Sequence, residues 1–234
     1  MKSSGGLRNL ASARTAGVLQ FLLVSGPSGA GKSTFIELMQ KRLLPAEISA
    51  ELPSGCELWP VIAANDLQKY RVNLDALLPE KLQTDGVVLH YDIVFPHRYG
   101  IHDYAKDPVA DFISNGHVGV VICIRISRDR LIEQFETRLR AHMSAKSAGR
   151  RIWKTFVHQR MRRLTARIRG LPFRETIDLY RDPNWLYHCA EEWERFARSI
   201  TRNKPGSKLV FISPSSQVSI SGPSFQLARV DQAI

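Results

Sequence analysis

Residues 26–34 read Gly26-Pro27-Ser28-Gly29-Ala30-Gly31-Lys32-Ser33-Thr34. This stretch satisfies the pattern G-x-x-x-x-G-K-[ST] in full. An apolar run over residues 18–24 precedes it, and apolar residues at helical spacing over 35–43 follow it. The pattern is informative only between a strand and a helix. The sequence therefore predicts a strand, a glycine-rich loop and a helix in succession.

The residue types of this loop indicate its chemistry. Glycines let the backbone curl so that several N–H groups point at one place. The helix that follows adds the positive end of its dipole. Lys32 would reach the β- and γ-phosphates, and the Ser33 hydroxyl would complete the shell of a bridging Mg²⁺. We expect residues 26–34 to bind a nucleoside triphosphate, ATP or GTP, rather than to form a chance glycine-rich turn.

The composition fits a globular α/β protein. The chain has 234 residues, of which 44% are hydrophobic and 24% are charged, as is ordinary for a domain with a sizeable core. Its apolar runs are far shorter than the roughly 20 residues that span a bilayer, so we expect no transmembrane helix. Three widely spaced cysteines, Cys56, Cys123 and Cys189, show no metal-binding pattern. They favour free thiols in a reducing cytoplasm.

Positive charge is concentrated in one part of the chain. Residues 138–174 contain twelve Lys and Arg residues and no Asp or Glu, which accounts for the whole formal charge of +11. One interpretation is a lid that closes over a nucleotide and delivers arginines to it. A second is a surface for nucleic acid or another polyanion. A third is a solvated amphipathic helix, since apolar residues recur there at roughly helical spacing.

Short apolar segments alternate with helical patterns along the chain. The predicted strands are residues 18–25, 58–64, 87–94, 118–126 and 208–213. Alternation of this kind predicts a parallel sheet with helices on both faces. Ligands of such sheets bind at the carboxyl ends of the strands.

Local signals mark the helices and the ends of the domain. The first helix is predicted over 32–44, ending near Pro45. Ser127 is a candidate N-cap for a second helix, and Asp182-Pro183 is a strong start for a third. We expect one domain over 18–213, with loose tails at 1–17 and 214–234.

Two aspartates follow predicted strands and are candidate partners of the loop. A phosphate loop works with an acid at the end of a neighbouring strand, which holds Mg²⁺. Asp92 is the first choice for this role and Asp66 the second. Asp66 could instead face the acceptor as the base that takes a hydroxyl proton. Strand-ending or helix-capping aspartates are the structural alternative for both.

The stretch from Gly26 to Thr34 resembles the phosphate loop of guanylate kinase and related P-loop kinases. It is also similar to that of ABC-transporter ATPases, but no LSGGQ-type signature occurs and Asp92 is followed by Ile93 rather than glutamate. The kinase resemblance extends to the layout, with Asp92 on the third strand and an arginine-rich segment after the fourth. It implies a three-layer α/β P-loop NTPase fold with a five-stranded parallel sheet in the order 2-3-1-4-5. It also implies that residues 138–174 are a basic helical lid.

The resulting hypothesis is an ATP- and Mg²⁺-dependent phosphotransferase that acts on a small or polyanionic acceptor. Lys32 would neutralise charge on the transferred group, and Ser33 and Asp92 would hold Mg²⁺. The candidate lid arginines are Arg150, Arg151, Arg160, Arg162 and Arg163, of which Arg151 and Arg162 are favoured. Two alternatives remain open. One is a nucleotide-dependent NTPase or switch that acts on a protein or nucleic-acid partner, and the other is a sulfotransferase-like enzyme.

Overall fold

The first strand of the fold runs directly into the glycine-rich loop, and the loop runs directly into a helix. The computed structural model describes residues 20–63, 85–99, 103–107, 118–144, 164, 182–215 and 224–228. The strands within these ranges are β1 (Gln20–Gly26), β2 (Val61–Ala63), β3 (Gly86–Asp92), β4 (Val118–Ile124), β5 (Lys208–Pro214) and β6 (Phe225–Leu227). The α-helices are α1 (Lys32–Gln40), α2 (Ala46–Ser49), α3 (Arg128–Ser144) and α4 (Pro183–Arg202). Short 3-10 turns cover Cys56–Leu58, Pro96–Tyr99 and Tyr104–Lys106.

The strands form one mixed sheet in the order β2-β3-β1-β4-β5-β6. The first five are parallel to their neighbours, and β6 is antiparallel to β5. The α/β class is therefore confirmed, but the prediction of five parallel strands is wrong, because the described sheet has six strands and ends in an antiparallel one. The sixth strand lies in the segment 214–234, which the sequence analysis assigned to a loose tail.

Helices cover both faces of the sheet. Side chains alternate along β3, so His90 lies on one face and Tyr91 on the other. His90 Nε2 is 3.4 Å from Ser33 Oγ in the first turn of α1. The Tyr91 ring packs on Trp193 of α4, with ring centroids 4.7 Å apart. Helices α1 and α4 thus lie on opposite faces, which explains why β1 and β3 are almost continuously apolar and buried.

Helix α1 ends four residues earlier than the periodicity predicted. Arg42 adopts a left-handed conformation with φ 56°. The Leu43 N–H donates to Leu38 O at 2.8 Å and the Arg42 N–H to Met39 O at 2.9 Å. This pair of bonds is a Schellman motif, which satisfies the last carbonyl groups of a helix and stops it. Leu43 is consequently exposed rather than part of the apolar face of the helix.

The two helix starts predicted from capping residues are confirmed. The Trp185 N–H donates to Asp182 Oδ1 at 3.2 Å, and Pro183 occupies the first turn, where its missing N–H has no cost. Helix α3 begins after Ser127, whose hydroxyl accepts the Arg130 N–H at 3.4 Å. Both caps satisfy backbone donors that a helix leaves unpaired at its N-terminus.

A chain of buried hydrogen bonds joins α4 to the two central strands. Trp193 Nε1 donates to Ser25 Oγ at 3.0 Å, and Ser25 Oγ donates to Ile122 O of β4 at 2.7 Å. Ser25 is fully buried and directly precedes Gly26, the first residue of the loop. The start of the loop is therefore anchored on the α4 face of the sheet.

Replacing Ser25 tests this anchor. We expect Ser25→Ala to lower the free energy of unfolding by about 1–3 kcal/mol, because the buried Trp193 N–H loses its acceptor. Ser199→Ala on the exposed side of α4 is the matched control, since Ser199 Oγ donates to the Phe196 carbonyl at the surface. Urea unfolding measures both variants. Equal and small losses for the two would show that the Ser25 bond contributes nothing.

Candidate functional site

The loop between β1 and α1 has the backbone that its glycines were expected to allow. Gly29 has φ 92° and Gly31 has φ 94°, a region that residues with a Cβ rarely adopt. A Cβ placed on Gly29 would lie 3.4 Å from the Phe135 ring of α3, and one on Gly31 would lie 3.3 Å from the Phe225 ring of β6. The left-handed backbone therefore favours glycine at both positions. At Gly31 a Cβ would also crowd the Phe225 ring, whereas at Gly29 it would make an ordinary van der Waals contact.

Lys32 points into the loop and is almost fully buried, with 4% of its surface exposed. Its ammonium group donates to Gly26 O at 2.8 Å and to Pro27 O at 2.7 Å. A buried ammonium needs such acceptors, because loss of its hydration is otherwise costly. The loop therefore curls around the cation that the motif places at its end.

The first turn of α1 is arranged to receive an anion. Its N-cap residue is Gly31, and no side chain of the described residues caps it by a hydrogen bond. Its first turn contains no acidic residue. The first N–H groups of a helix have no partner within the helix, and together with the helix dipole they favour a negative group. The phosphate chain of a nucleotide has the chemistry to fill this position.

Asp92 lies beside the loop, as the sequence predicted. Its Cα pairs with that of Gly26 in the parallel register of β1 and β3. The carboxylate is buried, and its Oδ1 accepts the Val94 N–H at 3.1 Å. The next residue, Ile93, donates its N–H to Gly26 O at 3.2 Å. The carboxyl ends of β1 and β3 are thus joined, with an acid at the junction.

His90 lies on the same strand face as Asp92 and reaches α1. Its Nε2 is 3.4 Å from Ser33 Oγ. Burial lowers the pKa of His90, the positive charge of Lys32 lowers it further, and the charge of Asp92 opposes both. Lys32, Ser33, His90 and Asp92 therefore form one group of interacting side chains at the carboxyl edge of the sheet.

Several predicted site residues lie outside the described residues. These are Asp66 and the lid candidates Arg151 and Arg162, together with most of the basic segment 138–174. Helix α3 contains the described beginning of that segment, where Arg140 pairs with Glu136 one turn earlier at 3.3 Å. The roles given to these residues stay predictions.

The cysteines offer no reactive thiol in the described fold. Cys56, Cys123 and Cys189 are free and buried. Burial raises the pKa of Cys56 to about 11 and those of Cys123 and Cys189 to about 12. The thiols therefore stay protonated near neutral pH and are not nucleophiles. Among the described residues, no group of three or more His, Cys, Asp or Glu side chains could hold a metal ion by itself.

An ion pair at the same edge of the sheet was not predicted from the sequence. Arg125 directly follows β4 and donates to Glu194 of α4 through Nε at 2.8 Å and through Nη2 at 2.7 Å. The guanidinium also lies 4.1 Å from the centroid of the Phe211 ring. The signal was an arginine inside an apolar run, but its partner is 69 residues away in the sequence.

The pair lines a small cavity beneath the loop. Ser25, Gly26 and Trp193 also line this cavity, whose volume is about 20 Å³. This is room for one water molecule and far too little for a nucleotide. The Arg125–Glu194 pair therefore belongs to the support of the loop on the α4 face, opposite the face of Lys32 and Asp92.

A buried polar network supports the segment after β3. The Tyr91 hydroxyl donates to Asp107 Oδ2 at 3.0 Å, and the Tyr104 hydroxyl donates to Ile93 O at 2.9 Å. Burial and the charge of Asp107 hold the pKa of Tyr91 well above its usual value. Both phenols therefore act as permanent donors that fix the chain immediately after Asp92.

The fold and the loop together define a class: an α/β protein whose central strand leads through a phosphate-loop motif into a helix. Neither a family model nor a curated protein matches the chain. Among solved structures, the chain is similar to the 1.7 Å crystal structure of shikimate kinase from Bacteroides thetaiotaomicron, with 12% sequence identity and a TM-score of 0.26. The match covers 76% of this chain and 97% of that chain. No helix in the described ranges has the length and apolar composition to cross a membrane.

The crowding at Gly31 gives a stability prediction with a built-in control. Gly55 is also left-handed, with φ 77°, but a Cβ there would meet no atom within 4 Å. Gly55→Ala should cost about 1 kcal/mol from backbone strain alone. Gly31→Ala should cost at least about 1 kcal/mol more, because its methyl group also presses on Phe225. Equal losses in urea unfolding would show that Phe225 imposes no constraint at Gly31.

The lowered pKa of His90 predicts how stability depends on pH. The unfolded chain takes up a proton at this histidine near pH 6.5, whereas the folded chain does so only at lower pH. The unfolded state thus binds more protons between these values, and stability falls as the pH falls through that window. We expect His90→Asn to remove part of this dependence between pH 7.5 and 5. Denaturant unfolding at several pH values measures this, and identical pH profiles for His90→Asn and wild type would contradict it.

Proposed function

We propose that this protein is a P-loop phosphotransferase that moves the γ-phosphoryl group of Mg-ATP, or Mg-GTP, to a small or polyanionic acceptor. The observation that carries the proposal is the meeting of Lys32, the N-terminus of α1, which no described side chain caps, and Asp92 at the carboxyl ends of β1 and β3. A cation, the positive end of a helix and an acid at one point suit a metal–triphosphate better than any neutral ligand.

The loop and Lys32 supply the positive field that holds the phosphates. The backbone N–H groups around Gly29 and Gly31 and the first turn of α1 surround the phosphate chain. Lys32 Nζ now rests on the carbonyl oxygens of Gly26 and Pro27. Its role in transfer is to neutralise charge that develops on the bridging and γ-oxygens. Since the ammonium is buried, its interaction with a phosphate is little weakened by solvent.

The donor set also fits a magnesium ion. Ser33 Oγ and the Asp92 carboxylate are hard oxygen ligands, which Mg²⁺ prefers. When bound, the ion would neutralise β- and γ-phosphate charge and orient the triphosphate. Ser33 and Asp92 would hold it, either directly or through water, and His90 would contact the Ser33 hydroxyl from the sheet.

Helix α3, which leads into the basic segment, packs on the loop. Leu131 is fully buried, and a Cβ on Gly29 would lie 3.6 Å from Leu131 and 3.4 Å from Phe135. The helix that leads into residues 138–174 thus packs on the phosphate loop itself. This supports a lid in which Arg151 and Arg162 close on the transferred group, with Asp66 available as acceptor base. The contact between α3 and the loop also favours the lid over a separate nucleic-acid surface.

A thermal-shift comparison tests the assignment of Lys32. A ligand at a hundred times its dissociation constant stabilises the folded state by about 2.7 kcal/mol. We expect Mg-ATP or Mg-GTP to raise the melting temperature of the wild type by several degrees, and we expect Lys32→Ala to lose most of this rise. Lys41→Ala is the matched control on the same helix, because Lys41 is exposed and pairs with Glu37 at the surface.

The thermal-shift assay, together with a measurement of triphosphate hydrolysis, separates the proposal from its rivals. A rise with adenosine 3′,5′-bisphosphate that needs no metal would favour a sulfotransferase-like enzyme. Triphosphate binding followed by slow hydrolysis, which no acceptor stimulates, would favour an NTPase or switch. An unchanged response in Lys32→Ala would refute the phosphate site itself.

A further inference from the structure

The last strand of the sheet reaches back to the phosphate loop. Strand β6 is held on β5 by antiparallel pairing of Phe225 with Pro214. Two further bonds flank the pairing, from Ser215 N–H to Ser224 O at 2.8 Å and from Ala228 N–H to Phe211 O at 2.9 Å. Phe225 is 4% exposed, whereas Gln226 and Leu227 on the same strand are exposed. The strand therefore presents one buried side chain, and that side chain is an aromatic ring.

The Phe225 ring packs on the first turn of α1. Its edge meets the Phe35 ring, with centroids 5.4 Å apart and an interplanar angle of 86°. The same ring lies 3.3 Å from the point that a Cβ of Gly31 would occupy. The Phe35 N–H donates to Gly31 O at 2.8 Å, which closes this turn. Phe225 thus packs on Phe35 at one end of the turn that contains Lys32, Ser33 and Thr34, and it occupies the space beside Gly31 at the other end.

The position of this contact has a physical consequence for ligand binding. A glycine loses more conformational freedom on ordering than any other residue, and Gly31 must keep φ 94° to aim Lys32 and the N–H groups inward. A ring packed on Phe35 and beside Gly31 restricts the other conformations that both residues could adopt. A site that is ordered before its ligand arrives does not spend binding energy on ordering.

We propose that Phe225 is a positioning residue for the phosphate site, so that the C-terminal strand β6 sets the affinity of the loop for a phosphate chain. This inference rests on the proposed function only in so far as the loop binds phosphates. Phe225 acts through Gly31 and Phe35 and has no role in the transfer step itself. Replacement of Phe225 should therefore change the affinity of the site for the phosphate chain of a ligand and not its affinity for the base.

The experiment compares two ligands and three variants by isothermal titration calorimetry of the full chain with Mg²⁺. The ligands are ATP and inorganic tripolyphosphate, which has the phosphate chain without the nucleoside. The variants are Phe225→Ala, the milder Phe225→Leu, and Met39→Ala. Met39 is buried on α1 beyond the first turn, so its truncation destabilises the helix without touching Gly31. Melting temperatures are recorded for every variant.

We expect Phe225→Ala to weaken ATP and tripolyphosphate by the same factor, about tenfold or more. Phe225→Leu should fall between Phe225→Ala and the wild type, and it carries the test alone if Phe225→Ala does not fold. Met39→Ala should lower the melting temperature but bind both ligands like the wild type. This combination separates positioning of the loop from a general loss of stability.

Three results would overturn the inference. Wild-type affinities in the Phe225 variants would show that the ring does not determine the affinity of the loop for a phosphate chain. Weaker ATP binding with unchanged tripolyphosphate binding would place the ring at the base instead. Equal losses in Met39→Ala would reduce Phe225 to a stability role. A wild-type protein that binds neither ligand would refute the proposed function itself, which the other three results leave intact.

Discussion

The buried ammonium of Lys32 is the constraint around which the fold is arranged. A charged group with 4% exposure is tolerable only where acceptors replace its water. The carbonyl oxygens of Gly26 and Pro27 do so at 2.8 and 2.7 Å. These carbonyls converge only if the chain turns sharply after β1, and the turn requires left-handed backbone at Gly29 and Gly31. The strand, the loop and the start of α1 are therefore fixed relative to one another by one side chain.

Hydrogen bonds on the α4 face of the sheet support the arrangement of strand, loop and helix. On the α4 face, Ser25 is tied to Trp193 and Ile122 immediately before the loop begins. Arg125 ties the end of β4 to Glu194 of α4 by two short hydrogen bonds. Buried polar groups are costly when unpaired, so these networks admit few alternative packings. The polar groups on the α4 face thus fix the carboxyl ends of β1 and β4. The loop begins at the end of β1, and its Lys32 lies on the opposite face.

The parts of the fold that were predicted correctly are those specified by neighbouring residues. The strand–loop–helix unit, the position of Asp92 and the start of α4 at Asp182-Pro183 all follow from patterns within a few residues. The predicted end of α1 was wrong because the helix stops at Arg42, which adopts a left-handed conformation. Arginine rarely adopts this conformation, so the sequence does not predict it. Apolar residues at helical spacing continue past Arg42, and the predicted helix therefore ended only near Pro45.

The missed features depend on contacts between distant parts of the chain. Strand β6 has three residues, too few for an alternating pattern to be visible among the serines around it. It forms because the Phe225 ring packs on the Phe35 ring and fills the space beside Gly31, almost two hundred positions earlier in the sequence. The Arg125–Glu194 pair was missed for the same reason. Sequence patterns reveal which residues carry charge at the site but not which residues hold them there.

Gly29 and Gly31 of the loop each lie beside a ring from a distant element, and the position of the first of these rings bears on the basic segment. Phe135 of α3 packs on Gly29, and from there to Ser144 the helix rises by about 14 Å. The residues from 145 to Arg151 can span roughly 20 Å when extended. Arg150 and Arg151 both lie within this reach of the loop along the chain. The packing of α3 on the loop is therefore consistent with a return of the basic segment to the phosphates at these two arginines.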